Sequence, residues 1–179
     1  MRETKNVILG VTASIAIYKA CELVRRLKEE GFAVNVVMTA EAEELIKPVV
    51  FQSLSGNRVY GKMFTETDVW EIEHIALAEK ADLVLIAPAT ANIIGKIACG
   101  ICDDLLTCTV CAARVPVLIA PAMNENMYEN KIVAQNIKKL KSSGYKFVGP
   151  AKGRLACGKV GIGCLAEVAQ IVKEVKKYI

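Results

Sequence analysis

The hexapeptide Val-Leu-Ile-Ala-Pro-Ala occurs twice, at residues 84–89 and 117–122, and each copy leads into short polar side chains. Thr90 and Asn92 follow the first copy and Asn124 follows the second. Each copy opens as an apolar run, and its proline biases the preceding residue to an extended conformation. Both therefore read as strands leaving a sheet through the same Ala-Pro-Ala turn. The alanines leave room for something flat against the backbone, and the hydroxyl and amides beyond them can hydrogen-bond its edges. A heteroaromatic ring suits such a place, although small residues also permit plain helix–sheet packing. A third place is Gly10-Val-Thr-Ala-Ser14, where small residues and hydroxyls meet a helix start whose backbone N–H groups favour an anion. It lacks the GxGxxG dinucleotide fingerprint and reads equally as a tight turn capped by Ser14.

Residues 150–163 contain four glycines within eleven residues. The segment follows the last strand and is long enough to be a lid. Cys157 lies in it between Ala156 and Gly158, outside any core pattern. It is a proton donor or nucleophile if the loop closes on a ligand, and an incidental thiol if it does not. His74 is the only histidine and so invites an acid–base role. Its position near the start of a short helix fits a surface or capping residue better. Cys99-x-x-Cys102 and Cys108-x-x-Cys111 imitate a metal-binding pair of pairs. Only five residues separate them, against roughly 15–20 in zinc ribbons, and the stretch reads as helical. Small buried hydrophobes are the better reading of these thiols.

Alternating elements must position these residues. Strands are predicted over 6–12, 32–38, 82–87, 117–120 and 145–148, with 58–60 as an edge strand. Helical spacing runs from Ser14 to a stop at Gly31, then over 40–47 with Pro48 as its stop. Further helices are predicted over 71–80, 93–113 with interruptions, 127–141 and 165–178; residues 49–68 are mixed, with a turn at Ser55-Gly56-Asn57. Strand–helix alternation predicts an α/β fold: one doubly wound, Rossmann- or flavodoxin-like parallel sheet with helices on both faces. In such sheets the ligand crevice lies beyond the carboxyl ends of the strands, where the residues above fall.

Composition narrows the function classes. The 179 residues suit one domain, residues 1–179, with 53% apolar and 23% charged residues, 12 Gly and 5 Pro. That balance excludes disordered and collagen-like chains. The net charge of +4 is mild, and Lys138-Lys139-Lys141 and Lys173-Lys176-Lys177 recur at helical spacing as solvated faces. With 6% aromatic residues a base-stacking platform is not expected. Arg2 and Lys5 precede a short apolar stretch, but Glu3, Gly10, Thr12 and Ser14 spoil it as a signal peptide. No run reaches the ~18 residues of a membrane helix, and seven cysteines is an odd number. A cytoplasmic protein with reduced thiols is expected, with neither nucleic acid nor membrane as partner.

These residues resemble those of the homo-oligomeric flavin-containing cysteine decarboxylases. That family includes the phosphopantothenoylcysteine decarboxylases of coenzyme A biosynthesis and the lantibiotic peptidyl-cysteine decarboxylases. The similarity runs from Gly10 to Glu167 through Gly-Val-Thr-Ala-Ser-Ile-Ala (10–16), His-Ile-Ala-Leu-Ala (74–78), Ala-Pro-Ala-Thr-Ala-Asn (87–92), Asp-Asp-Leu-Leu (103–106), Ala-Pro-Ala-Met-Asn-Glu-Asn-Met-Tyr (120–128) and Ala-Cys-Gly (156–158). The resemblance implies FMN over the strand ends, contacting Ser14, Thr39, Ala89, Thr90, Ala91, Asn92 and Ala122. It implies His74 beside flavin and substrate as the catalytic histidine, and Asn124 holding the substrate carboxylate. Cys157 would donate a proton late, from a substrate clamp over about 150–163. Met123, Ala156 and Gly158 would touch the substrate. It also implies trimers, or multiples of them, with FMN and substrate held between subunits.

The implied reaction is the redox-neutral decarboxylation of 4′-phosphopantothenoylcysteine to 4′-phosphopantetheine. Oxidation of the cysteine CH2–SH to a thioaldehyde creates an electron sink, CO2 leaves to give an enethiol, and the enethiol is reduced again. The peptide decarboxylases stop at the enethiol, so the clamp cysteine favours the full cycle. Three departures stand out. Ala13 replaces the glycine usual in the first turn, which would carry strain if that position needs a positive φ. Gly163-Cys164-Leu165 stands where the clamp often ends Gly-Arg-Met. The chain stops at Ile179, about where many members continue into a phosphopantothenate–cysteine ligase domain, so a single-function protein and a truncated bifunctional one are both open. A flavin-dependent reductase or electron-transfer flavoprotein on the same scaffold is the main alternative. A non-enzymatic flavin- or nucleotide-binding module is a third reading.

Overall fold

The computed structural model describes residues 4–63 and 72–179. The parts of the sequence expectations that fall on Arg2, Glu3, Asp68 and Glu71 lie outside the described residues. Strand β1 (Asn6–Val11) passes through a 3-10 turn at Ile15–Ile17 into α1 (Tyr18–Glu29), and β2 (Ala33–Met38) follows. Next come α2 (Ala40–Leu45), α3 (Pro48–Ser55), β3 (Val59–Tyr60), α4 (Glu73–Lys80) and β4 (Leu83–Ala89). The second half holds α5 (Ala91–Cys99), α6 (Leu105–Ala112), β5 (Val117–Pro121), α7 (Glu125–Tyr128), α8 (Lys131–Ser142) and β6 (Lys146–Phe147). A hairpin of β7 (Ala151–Arg154) and β8 (Val160–Cys164) precedes α9 (Val168–Val175).

The main sheet has the order β3-β2-β1-β4-β5-β6, and every pairing in it is parallel. Both of its faces are covered, which explains the unbroken apolar runs of the central strands. Side chains alternate across the sheet. Val7, Leu9 and Val11 of β1 join Leu83 and Leu85 of β4 on the face of α1 and α9. Ile8, Val84 and Ile86 join Ile93, Leu105 and Leu106 on the opposite face, with α5 and α6.

Strand order reverses between β1 and β4, the place where a doubly wound sheet opens a crevice. There Thr12, only 2% exposed, pins the two exits together. Its Oγ1 donates to the Pro88 carbonyl at 2.7 Å and accepts from the Thr90 amide at 3.1 Å. Thr12→Val keeps the shape and strands both partners, so it should lower stability by about 2–4 kcal/mol. An unchanged thermal midpoint would show that the pin is dispensable.

Several boundaries differ from the sequence expectation. Pro48 does not stop a helix but starts one, as the first residue of α3, where a missing N–H is harmless. The helical stretch over 93–113 is two helices: Gly100 ends α5 in the left-handed region, and an Asp104–Thr107 capping box starts α6. Cys102 therefore lies in the link and not on a helix. The helix over 127–141 divides into α7 and α8, with Asn130 capping the latter through Ile132 N at 2.9 Å. Residues 150–163 form an antiparallel hairpin where a loop was expected. No described non-glycine residue has a positive φ, so Ala13 sits in the first turn without the expected strain.

Candidate active site

The exits of β1, β2, β4 and β5 are tied together by backbone. Beyond the Thr12 pin, the Ala122 amide donates to the Ala89 carbonyl at 3.0 Å, and the Thr39 amide donates to Val11 at 3.1 Å. Each turn then starts a helix with a hydroxyl cap. Ser14 accepts from Ala16 N at 3.3 Å, Thr39 from Ala42 N at 3.3 Å, and Thr90 from Ile93 N at 3.4 Å. These caps follow from short side chains at strand exits, and they leave the first amides of each helix facing the carboxyl edge of the sheet.

The hairpin closes over this edge. The Met123 amide donates to the Gly163 carbonyl at 3.0 Å, and the Ile162 amide donates to Glu125 Oε1 at 3.0 Å. Both contacts need glycine on β8. A Cβ on Gly163 would collide with the Met123 carbonyl, and one on Gly161 with the Glu125 carboxylate. At the tip, Leu155 N bonds Lys159 O at 2.8 Å and Gly158 N bonds Leu155 O at 2.9 Å, a tight turn that presents Cys157.

Between hairpin and strand exits lies a cleft of about 710 Å³, within the size range of small-molecule sites. Its lining includes Ser14, Thr90, Ala91, Ala122, Met123, Asn124, Ala156, Cys157 and Gly158 from the sequence-derived set. Asn124 caps α7 with Oδ1, which accepts from Asn126 N at 2.9 Å. That bond fixes which end of the amide faces inward. The Nδ2 end then donates to Cys157 Sγ at 3.8 Å, across 33 residues of sequence. Lys19 and Arg154 are the cations in the lining, and no carboxylate joins them.

Thr39, Ala89, Asn92 and His74 do not line this cleft. Ala89 is fully buried as the end of β4, and Asn92 is exposed in the first turn of α5. His74, half-buried, is the second residue of α4. That helix follows β3, so its start lies on the carboxyl edge of the sheet but beside the outer strands. Glu73 next to it is tied to Arg58 at 2.8 Å, whose guanidinium stacks 5.0 Å over the Tyr60 ring of β3.

Glu125, Lys19 and Arg154 were missed as site residues. The Glu125 contact spans 37 residues and has no local signature. The i, i+2 spacing of Gly161 and Gly163, which puts both on one face of a strand, was the available signal for the hairpin. The thiols of Cys99, Cys102 and Cys111 are exposed and that of Cys108 is half-buried, so they are not the small buried hydrophobes expected from the sequence. Desolvation and the neighbouring Cys111 thiol push Cys102 up to about 11. No described helix is long and apolar enough to cross a membrane.

Comparison with known proteins agrees with this architecture. The bifunctional coenzyme A biosynthesis protein of Bacillus subtilis is 48% identical over 178 residues, which is 99% of this chain and 44% of that protein. The chain thus spans under half the length of such bifunctional relatives. A probable phosphopantothenoylcysteine decarboxylase of Streptococcus mutans is 44% identical over 178 residues, 98% of this chain and 99% of that protein. Among solved structures, a PPC decarboxylase variant complexed with pantothenoylaminoethenethiol superposes with a TM-score of 0.86 at 30% identity, covering 98% of both chains. The FMN-dependent cysteine decarboxylase SpaF gives 0.82 at 29% identity, covering 96% of this chain and 97% of that one. The model of the Flavoprotein family matches residues 1–179, and the chain belongs to that family.

Proposed function

We propose that residues 1–179 form an FMN-dependent decarboxylase domain acting on 4′-phosphopantothenoylcysteine, with 4′-phosphopantetheine and CO2 as products. The observation that carries this reading is the Asn124–Cys157 contact at 3.8 Å inside the cleft. A reductase or electron carrier has no need of an amide and a thiol held together under a docked hairpin, which favours decarboxylation over that alternative.

The residues present fit FMN. Ala13, Ala91 and Ala122 form a floor of small side chains for a flat ring, and the amide-rich helix starts at Ser14 and Thr90 suit its phosphate. When bound, FMN supplies reversible hydride transfer at the carbon bearing the substrate thiol. The protein supplies the rest. Asn124 Nδ2 binds and orients the substrate carboxylate, so that the breaking C–C bond can align with the C=S acceptor. The hairpin, anchored by Glu125 and Gly163, keeps water from the enethiol. Cys157 Sγ gives the proton that completes the reduced product. His74 acts beside flavin and substrate from a second copy of the chain, since it stands outside the cleft of its own. Homotrimers, or multiples of them, would bring Thr39 and Asn92 to the same flavin. A phosphopantothenate–cysteine ligase, on a further domain or another protein, would supply the substrate, and a cytoplasmic setting follows from that pathway.

The test is an absorbance spectrum of the purified protein, then CO2 release on adding 4′-phosphopantothenoylcysteine. A flavin band with stoichiometric CO2 and no net bleaching is expected. A flavin band without CO2 would return the reading to a reductase, and no flavin after reconstitution would remove the cofactor. Cys157→Ser should still release CO2 but accumulate the enethiol, detectable by mass as two hydrogens short of the product. Normal product from that variant would take Cys157 out of the reaction.

A further inference from the structure

The cleft carries an unused electrostatic feature at its hairpin side. Its lining has two cations and no carboxylate, so its potential favours an anion. The two cations differ. Lys19 Nζ lies 3.4 Å from Glu167 Oε1, so part of its charge is already answered. Arg154 has no carboxylate within ion-pair distance among the described residues. It closes β7 opposite Val160, and its carbonyl takes the Cys164 thiol at 3.5 Å, so its backbone is held on both sides. Cys164 lines the same cleft from β8.

The position of Arg154 along the hairpin matters as much as its charge. Cys157 and Asn124 mark the reacting end of the cleft. Arg154 precedes Cys157 by three residues, at most about 11 Å of chain, and its own side chain adds further reach. A substrate whose reacting cysteine lies at one end and whose phosphomonoester lies at the other has the matching layout. A guanidinium fork is suited to a phosphate.

We infer that Arg154 binds the phosphate of the substrate and makes this site selective for phosphorylated over unphosphorylated pantothenoyl compounds. The inference rests on the proposed decarboxylase reading for the identity of the ligand. The shared chemistry, a phosphomonoester, also occurs in FMN, and the experiment separates the two sources.

The flavin-loaded protein is titrated by calorimetry with 4′-phosphopantetheine and, separately, with pantetheine. The wild-type protein should bind the phosphorylated ligand about tenfold or more tightly than the other. Arg154→Gln should erase that preference without changing the affinity for pantetheine, and Arg154→Lys should restore part of it. The preference should also shrink as salt is raised, because the residue is exposed. The inference is overturned if the wild-type protein shows no preference, if Arg154→Gln keeps it, or if both ligands weaken equally. Loss of flavin absorbance from Arg154→Gln would assign the contact to FMN and overturn it as well. A clear phosphate preference in a protein that releases no CO2 would sink the decarboxylase reading and leave the phosphate site standing.

Discussion

Asn124→Asp should cut CO2 release by at least a hundredfold while leaving flavin bound. The aspartate keeps an oxygen that can accept from Asn126 N, so the cap of α7 survives. It loses the Nδ2 donor that faces Cys157 and puts a negative charge where the substrate carboxylate must lie. Removing one well-placed donor at a reacting centre costs on the order of 10²–10³ in rate, and like charges in contact add to that. Asn124→Ala removes the cap as well, for about 1 kcal/mol of stability, and should be equally inactive with a slightly lower thermal midpoint. The pair separates chemistry from folding: both lose activity, and only the alanine variant loses stability. Flavin loss from the aspartate variant would make Asn124 a cofactor residue, and turnover near that of the wild type would end its role.

Gly163→Ala should also abolish CO2 release, for a different reason. Gly163 has a φ of +139°, its Cβ position is filled by the Met123 carbonyl, and its own carbonyl accepts from the Met123 amide. Neither backbone segment can yield without undocking β8 from the exit of β5. The main sheet is untouched, so far-UV circular dichroism should be unchanged. Limited proteolysis should then cut within 150–164. Gly144→Ala is the control for backbone strain alone: its φ is +95° with nothing within 4 Å of the added methyl. It should cost about 1 kcal/mol or somewhat more and leave turnover intact. Equal behaviour of the two variants would show that strain matters and the docked hairpin does not.

Much of the fold was legible because a doubly wound sheet is written in local patterns. Apolar runs at 7–9, 36–38, 83–87 and 117–120 had to be covered on both faces, and alternation with helical spacing leaves few topologies. That the two Ala-Pro-Ala turns leave neighbouring strands at one edge of the sheet was also legible, but the expectation of one shared turn was wrong: the Ala87–Pro88 bond is cis, the Ala120–Pro121 bond is not, and the β4–β5 register shifts between Ile86 and Ala89. Pro48 misled because the same ring that ends one helix can open the next. The hairpin was hidden by its glycines. They read as freedom, whereas Gly161 and Gly163 are there because carboxylate and carbonyl oxygens occupy the space of their side chains.

Residue types and periodicity determined the layered α/β architecture, the edge of the sheet where a ligand must sit, and the short list of Asn124, Cys157 and His74. Those are properties of neighbours in sequence, set by sterics and burial within a few residues. Tertiary structure alone decided which of them meet. It brought Asn124 to Cys157, set Glu125 under β8 and placed Arg154 at the cleft, while leaving His74 outside. Contacts between segments more than 30 residues apart depend on where the hairpin folds back, and that is fixed by packing and by hydrogen bonds to backbone groups that every residue carries alike.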